Sequence, residues 1–187
     1  MVRYGLAMRV KNIARTGWMM RGIPPSDSET VGSHSFEVAF LSMIIADHLA
    51  SVGVTVDVSK VLKLALLHDL TESVIGDIVR AVKESIGGSR QLEERAIREL
   101  GMDNYLDIYQ DLLEGKSLEA TLIRICDNIA TMLQGIRYLN KGYASVIDIV
   151  ESTKQRIEEI LKSETLPEEA RRVISDLIMK LVVSEEL

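Results

Sequence analysis

Apolar positions recur at spacings of three and four residues along most of the chain, the signature of helices that bury one face. Leu6, Val10 and Ile13 give Tyr4–Ala14 a mixed helical character. The pattern stops over Arg15–Ser33, where Gly17, Gly22, Pro24, Pro25 and Gly32 predict a long irregular segment. It resumes in His34–Ser51, apolar nearly all round through Phe36, Val38, Ala39, Phe40, Met43, Ile44 and Ile45, as expected of a central helix. Thr30 or Ser33 can cap that helix. Gly53 and Val54–Asp57 read as a connector and Val58–Asp69 as the next helix, with a short one predicted over Ile78–Ile86 and stopped by Gly87 and Gly88. Ser89–Leu100 and Asp103–Leu113 follow, closed by Gly101 and Gly115. Ser117–Leu139 is long, with Leu122, Ile125, Ile129, Met132 and Ile136 as its apolar stripe, and Tyr143–Leu161 and Pro167–Val183 complete the chain as amphipathic helices. No strand-like alternation persists and no internal repeat is evident. The expected fold is all-α, a helical bundle forming a single domain over residues 1–187.

Composition sharpens this picture. The hydrophobic share is 47%, yet Phe, Trp and Tyr together make up 4%, so aliphatic residues and Met must fill the core. A net charge of −6 argues against binding of nucleic acid polymers, whose partners carry basic surfaces, but leaves room for a small anion in a local basic pocket. The single cysteine, Cys126, permits no internal disulfide and fits a reducing compartment. The longest apolar run, Val38–Ala46, is too short to span a bilayer, and no basic stretch leads into an apolar one at the N-terminus. A cytoplasmic protein without membrane partners is expected.

The chemistry concentrates in Val61–Asp77, VLKLALLHDLTESVIGD, where an apolar helix runs into His68, Asp69, Glu72 and Asp77. Burying that many titratable groups requires pairing them or binding something to them. An imidazole beside a carboxylate is a ligand pair suited to a divalent metal. On a continuous helix Glu72 lies one turn after His68, where a general base for hydrolytic water is needed. Taken alone, the His68–Asp69 dipeptide reads as an ordinary helix end with solvated charges. Likewise His34, at the first turn of its helix, reads alone as a capping or core group, and Asp127, in the middle of ICDN, as a carboxylate facing water. The irregular segment carries Arg15 and Trp18, the only tryptophan, which either caps the core or lines a site. Arg80 and Lys83 share a helix face three residues apart.

In order, His34, His68–Asp69 and Asp127 resemble the H…HD…D pattern of the HD superfamily of metal-dependent phosphohydrolases. Three stretches, RTGWMMRG (residues 15–22), ETVGSHSFEVA (29–39) and LLHDLTESVIGD (66–77), together with ICDNIATMLQG (125–135), are similar to the small HD proteins that include 5′-deoxynucleotidases. The resemblance runs from Arg15 to about Tyr138; it implies an HD core at about 15–140 with the C-terminal helices, 143–187, packing on it. It departs at Ser33, where relatives commonly carry an acidic residue. It implies His34, His68, Asp69 and Asp127 as ligands of one divalent ion, with Mn, Co, Fe, Ni, Zn and Mg all compatible with the donors. It implies catalytic and substrate-orienting roles for Glu72 and Asp77, and phosphate and sugar contacts for Arg15 and Trp18, helped by Arg80 or Lys83. His48, 14 residues after His34 on the same helix, lies roughly 21 Å away and cannot join the cluster, so a mononuclear site is expected. Hydrolysis of deoxynucleoside 5′-monophosphates by a homodimer is the expected function. Two alternatives stay open: an HD hydrolase of another phosphate ester, such as a dNTP or cyclic nucleotide, and a helical nucleotide-binding protein without turnover.

Overall fold

The computed structural model describes residues 1–85 and 89–185, and of Arg80 and Glu84 the backbone alone. Helices α1 (Tyr4–Ala7), α2 (Thr16–Met19), α3 (Val31–Ser51), α4 (Val58–Leu67), α5 (Glu72–Ile75), α6 (Arg80–Ser85), α7 (Arg90–Glu99), α8 (Leu106–Glu114), α9 (Leu118–Asn140), α10 (Ile147–Ile160) and α11 (Glu168–Glu185) account for most of the chain. Short 3₁₀ turns cover Met8–Asn12, Asp103–Tyr105 and Ala144–Val146. The fold is all-α; among the described residues the only β-type pairing is an isolated bridge between Ala14 and Thr30. No described helix is long and apolar enough to cross a membrane.

Helix α9 is the axis of the bundle. Helices α3, α4, α10 and α11 pack against it, with α4 and α11 also on α3. Leu122, Ile125, Ile129 and Leu133 of α9 meet Val38, Leu41 and Ile45 of α3 and Leu64 of α4 in one continuous core. The close approach of α10 depends on Gly135: a Cβ there would stand 2.5 Å from Val150 Cγ2 and 3.5 Å from Trp18 Cη2. Polar anchoring reinforces the packing. Arg137 forms paired hydrogen bonds to Glu37 on α3, both at 2.9 Å, and to Glu185 on α11 at 2.6 and 3.0 Å.

Two differences from the sequence pattern have clear causes. Helix α3 starts at Val31, three residues before His34, because Thr30 and Ser33 form a capping box in which each hydroxyl takes the other's amide. The helix predicted to run through Asp69 ends at Leu67. There the Nδ1 of His68 donates to the carbonyl of Ala65 at 2.6 Å, the acceptor that the Asp69 amide would use in a continuing helix. The chain then passes through a tight turn into α5, so His68 and Glu72 do not share one uninterrupted helix. Gly76, with φ 79°, redirects the backbone after α5 and brings Asp77 back toward the 15–30 segment. The predicted stop at Gly87 and Gly88 lies outside the described residues.

Candidate active site

Four side chains from three separate stretches converge beside α9. His34 enters from the first turn of α3 and is fully buried. Its Nε2 lies 3.0 Å from Asp127 Oδ1, which α9 presents, and 3.8 Å from Asp69 Oδ2. His68 Nε2 lies 3.3 Å from the same Asp69 oxygen, and the two imidazole centroids are 5.4 Å apart. Ligand atoms of His34, His68 and Asp127 all fall within 4.8 Å of one another.

The donor chemistry fits a divalent cation. The bond to Ala65 fixes the proton of His68 on Nδ1, leaving Nε2 a bare lone pair that is buried, without a hydrogen-bond partner among the described residues, and aimed at the carboxylates. Two imidazole nitrogens and two carboxylates form a mixed nitrogen–oxygen set compatible with several divalent ions. Without a cation, protons compensate the cluster. Burial and the Arg15 charge oppose protonation of His34, yet hydrogen bonds to Asp127 and Glu29 carry it up to about 9. Against burial, the neighbouring imidazoles hold Asp69 and Asp127 below the usual carboxylate range. A cation entering this cluster competes with those protons.

Glu72 sits on α5 and is 4% exposed. Burial, then the Asp69 and Asp77 charges, push its carboxyl up to about 10, opposed by Lys83 and Arg15. Lys83 reaches this wall from α6, with its ammonium 3.7 Å from Glu72 and 3.3 Å from Glu93. Glu93 is itself buried and accepts hydrogen bonds from Ser89 at 2.6 Å and from the Tyr109 hydroxyl at 3.3 Å. Asp77 is held by the start of α2: its carboxylate accepts from the Thr16 amide, and its carbonyl from the Thr16 hydroxyl at 2.9 Å. The side chain of Arg80, expected at the phosphate, lies outside the described residues.

The irregular 15–30 segment forms the remaining wall. The guanidinium of Arg15 is 3.4 Å from the Thr131 hydroxyl and 3.6 Å from Glu29. Trp18 is 2% exposed; its indole packs edge-on against Tyr138 at 5.1 Å and donates to Glu29 at 2.9 Å. The rest of Trp18 joins Ile23, Tyr138 and Val146 in a small second core, so the indole both closes the core and borders the site. These groups surround a cavity of about 510 Å³ that reaches from the ligand cluster to α10, which contributes Ile149, Ser152 and Arg156.

The structure thus gathers His34, His68, Asp69 and Asp127 in one cluster, and Asp69 and Asp127, with Glu72, Asp77, Arg15, Trp18 and Lys83, line the cavity beside it. Three contributors were not singled out from sequence: Glu29, Glu93 as the partner of Lys83, and the α10 wall. A signal for Glu29 existed, since it is an acid five residues before His34 in an otherwise Gly-, Pro- and Ser-rich segment.

The HD domain family model matches residues 7–168. Over 140 residues, 70% of this chain, the sequence is 30% identical to the 5′-deoxynucleotidase HDDC2 of Dictyostelium discoideum, spanning 72% of that protein. It is 28% identical to the 5′-deoxynucleotidase HDDC2 of Danio rerio, covering 71% of this chain and 66% of the relative. The crystal structure of a Pyrococcus horikoshii OT3 protein superposes with a TM-score of 0.81 at 29% identity, covering 95% of both chains.

Proposed function

The chain belongs to the HD domain family, and from that premise we propose that it hydrolyses deoxynucleoside 5′-monophosphates to deoxynucleosides and phosphate. The observation that carries the reading is the bare, buried Nε2 of His68, turned toward His34, Asp69 and Asp127 with Glu72 buried alongside. His34, His68, Asp69 and Asp127 would hold one divalent ion, whether Mn, Co, Fe, Ni, Zn or Mg, which would supply Lewis acidity to the phosphate and lower the pKa of water. Glu72 takes the proton of the attacking water and returns it to the departing 5′ oxygen. Its ordinary tendency, as a buried carboxyl among carboxylates, is to hold a proton, which suits the second half of that role. Arg15 donates charge-assisted hydrogen bonds to the phosphate. Asp77, fixed by Thr16, orients the substrate, and the rim of the Trp18 indole stands against the edge of the sugar where a 2′-hydroxyl would project. Lys83 acts on Glu72, its neighbour at 3.7 Å, rather than on the phosphate.

The reading extends to a cytoplasmic homodimer. Phe36, Phe40 and Ile44 form an exposed apolar stripe along α3, with the two phenyl rings stacked at 6.3 Å, a surface suited to a self-complementary contact. The decisive experiment assays phosphate release from dAMP, AMP, dATP and a 3′-monophosphate with each divalent ion in turn. Release from dAMP at tenfold or greater preference over AMP is expected. Triphosphate or pyrophosphate release from dATP with dAMP inert would overturn the assignment.

A further inference from the structure

We propose that Glu29 is a positioning residue whose one carboxylate ties the imidazole of His34 to Arg15 and Trp18, so that the metal centre and the substrate wall assemble as a unit. The substrate part rests on the proposed function; the metal part does not.

A side chain that is 5% exposed and ionised needs partners on both oxygens. Glu29 Oε1 lies 3.4 Å from His34 Nδ1, while Oε2 accepts from the Trp18 indole at 2.9 Å and lies 3.6 Å from the Arg15 guanidinium. The backbone beneath it is fixed as well. The Glu29 amide donates to the Tyr138 hydroxyl at 2.7 Å, and its carbonyl accepts from the Arg15 amide at 2.9 Å. His34 Nδ1 is buried and without a hydrogen bond among the described residues, while Nε2 meets Asp127 at 3.0 Å. The Glu29 carboxylate is therefore the group placed to receive the Nδ1 proton once a cation takes Nε2, which sets the ring's tautomer and orientation. His68 receives the same service from the neutral carbonyl of Ala65, which substitution of a side chain cannot remove. The orienting group of His34 is therefore the one that mutation can reach, and the same change loosens Arg15 and Trp18.

Glu29→Gln and Glu29→Asp test this, the first removing charge and the second withdrawing it by one methylene. Far-UV circular dichroism and thermal unfolding establish that each variant folds. Titration with Mn²⁺, read by the electron paramagnetic resonance of the free ion, then measures affinity without turnover, and emission of Trp18, the sole tryptophan, reports the indole. Glu29→Gln is expected to weaken Mn²⁺ binding roughly 10–100-fold, to shift Trp18 emission, and to raise KM for dAMP at saturating metal more than it lowers kcat. Glu29→Asp is expected to fall between Gln and wild type, and it decides the matter by the same criteria if Glu29→Gln fails to fold. A folded variant that binds Mn²⁺ within twofold of wild type would overturn the inference. A wild-type protein that takes up no Mn²⁺ would overturn the metal centre and this inference together. Weakened Mn²⁺ binding in a protein inert to every nucleotide would instead overturn only the proposed function.

Discussion

Trp18 closes the second core and, in the proposed function, walls the sugar, and replacing it with Ala separates the two roles. The indole is 2% exposed and its neighbours Tyr138 and Gly135 both belong to α9, a helix held by the main core. Those neighbours cannot close over the space, so Trp18→Ala should fall in the range typical of large aromatic truncations, ~3–5 kcal/mol. The lost indole N–H also leaves the buried Glu29 carboxylate with one donor fewer, which pushes the cost toward the upper end. For a chain of this length each kcal/mol is worth ~2–4 °C, so Tm should drop by about 6–20 °C. Trp18→Phe keeps most of the volume and removes only the donor, and should retain most of the stability. The functional readout is kcat/KM for dAMP and AMP below the lowered Tm. A 2′-hydroxyl pressed against the indole loses water without gaining a partner, at ~1–3 kcal/mol, about tenfold per 1.4 kcal/mol; removing the ring should raise AMP relative to dAMP. A Tm loss under about 3 °C would refute the core role. An equal fall for both nucleotides would refute the sugar wall and leave Trp18 as a structural lid.

Asp127→Ala should lower metal content in elemental analysis, because a donor within 3.0 Å of His34 is lost; full retention would remove Asp127 from the ligand set. Glu72→Gln leaves a neutral side chain of the same shape at this buried position. Since Glu72 binds its proton more tightly folded than unfolded, its contribution to stability is present below its unfolded pKa and declines as pH rises toward about 10. The variant should flatten that decline in EDTA-treated protein, and urea melts whose difference between pH 6 and 9 matches that of wild type would contradict it. Phe36→Asp with Phe40→Asp should shift a dimer to monomer in light scattering while leaving the helical signal unchanged; a dimer that persists would place the interface elsewhere.

Periodicity and capping made the helices legible: α9 was expected over 117–139 and spans 118–140, because its apolar stripe is continuous and Ser117 caps it by accepting from the Ala120 amide. The end of α4 was not legible. It is decided by whether the His68 ring nitrogen or the Asp69 amide takes the Ala65 carbonyl, a competition between side chain and backbone that spacing does not reveal. The titratable residues brought around the cavity were recognisable by order and resemblance, since each is a chemically unusual residue in an apolar or irregular context. Glu29 and Glu93 escaped because their partners come from other elements. An acid in a loop or on a charge-rich helix looks solvated until Trp18 and Arg15, or Lys83 and Tyr109, are folded against it. The contribution of α10 was hidden for the same reason: Arg156 in an amphipathic helix carries no mark of facing a cavity.

The irregular segment is clamped at its mouth, by the Ala14–Thr30 bridge and the Arg15–Glu29 backbone bond, and at its crown by Tyr138, whose hydroxyl also donates to the Asp27 carbonyl at 3.0 Å. A loop pinned in this way behaves as an interchangeable cassette rather than a moving gate. Its interior can be rewritten while the stem keeps register with the bundle, provided that Glu29 stays beside His34 and that Thr131, Tyr138 and Asp148, which receive the segment, are kept. Substrate preference in this scaffold is therefore open to transplantation: exchanging residues 15–28 between relatives, with Glu29 kept, should move selectivity with the segment and leave the ligand-bearing helices as they are.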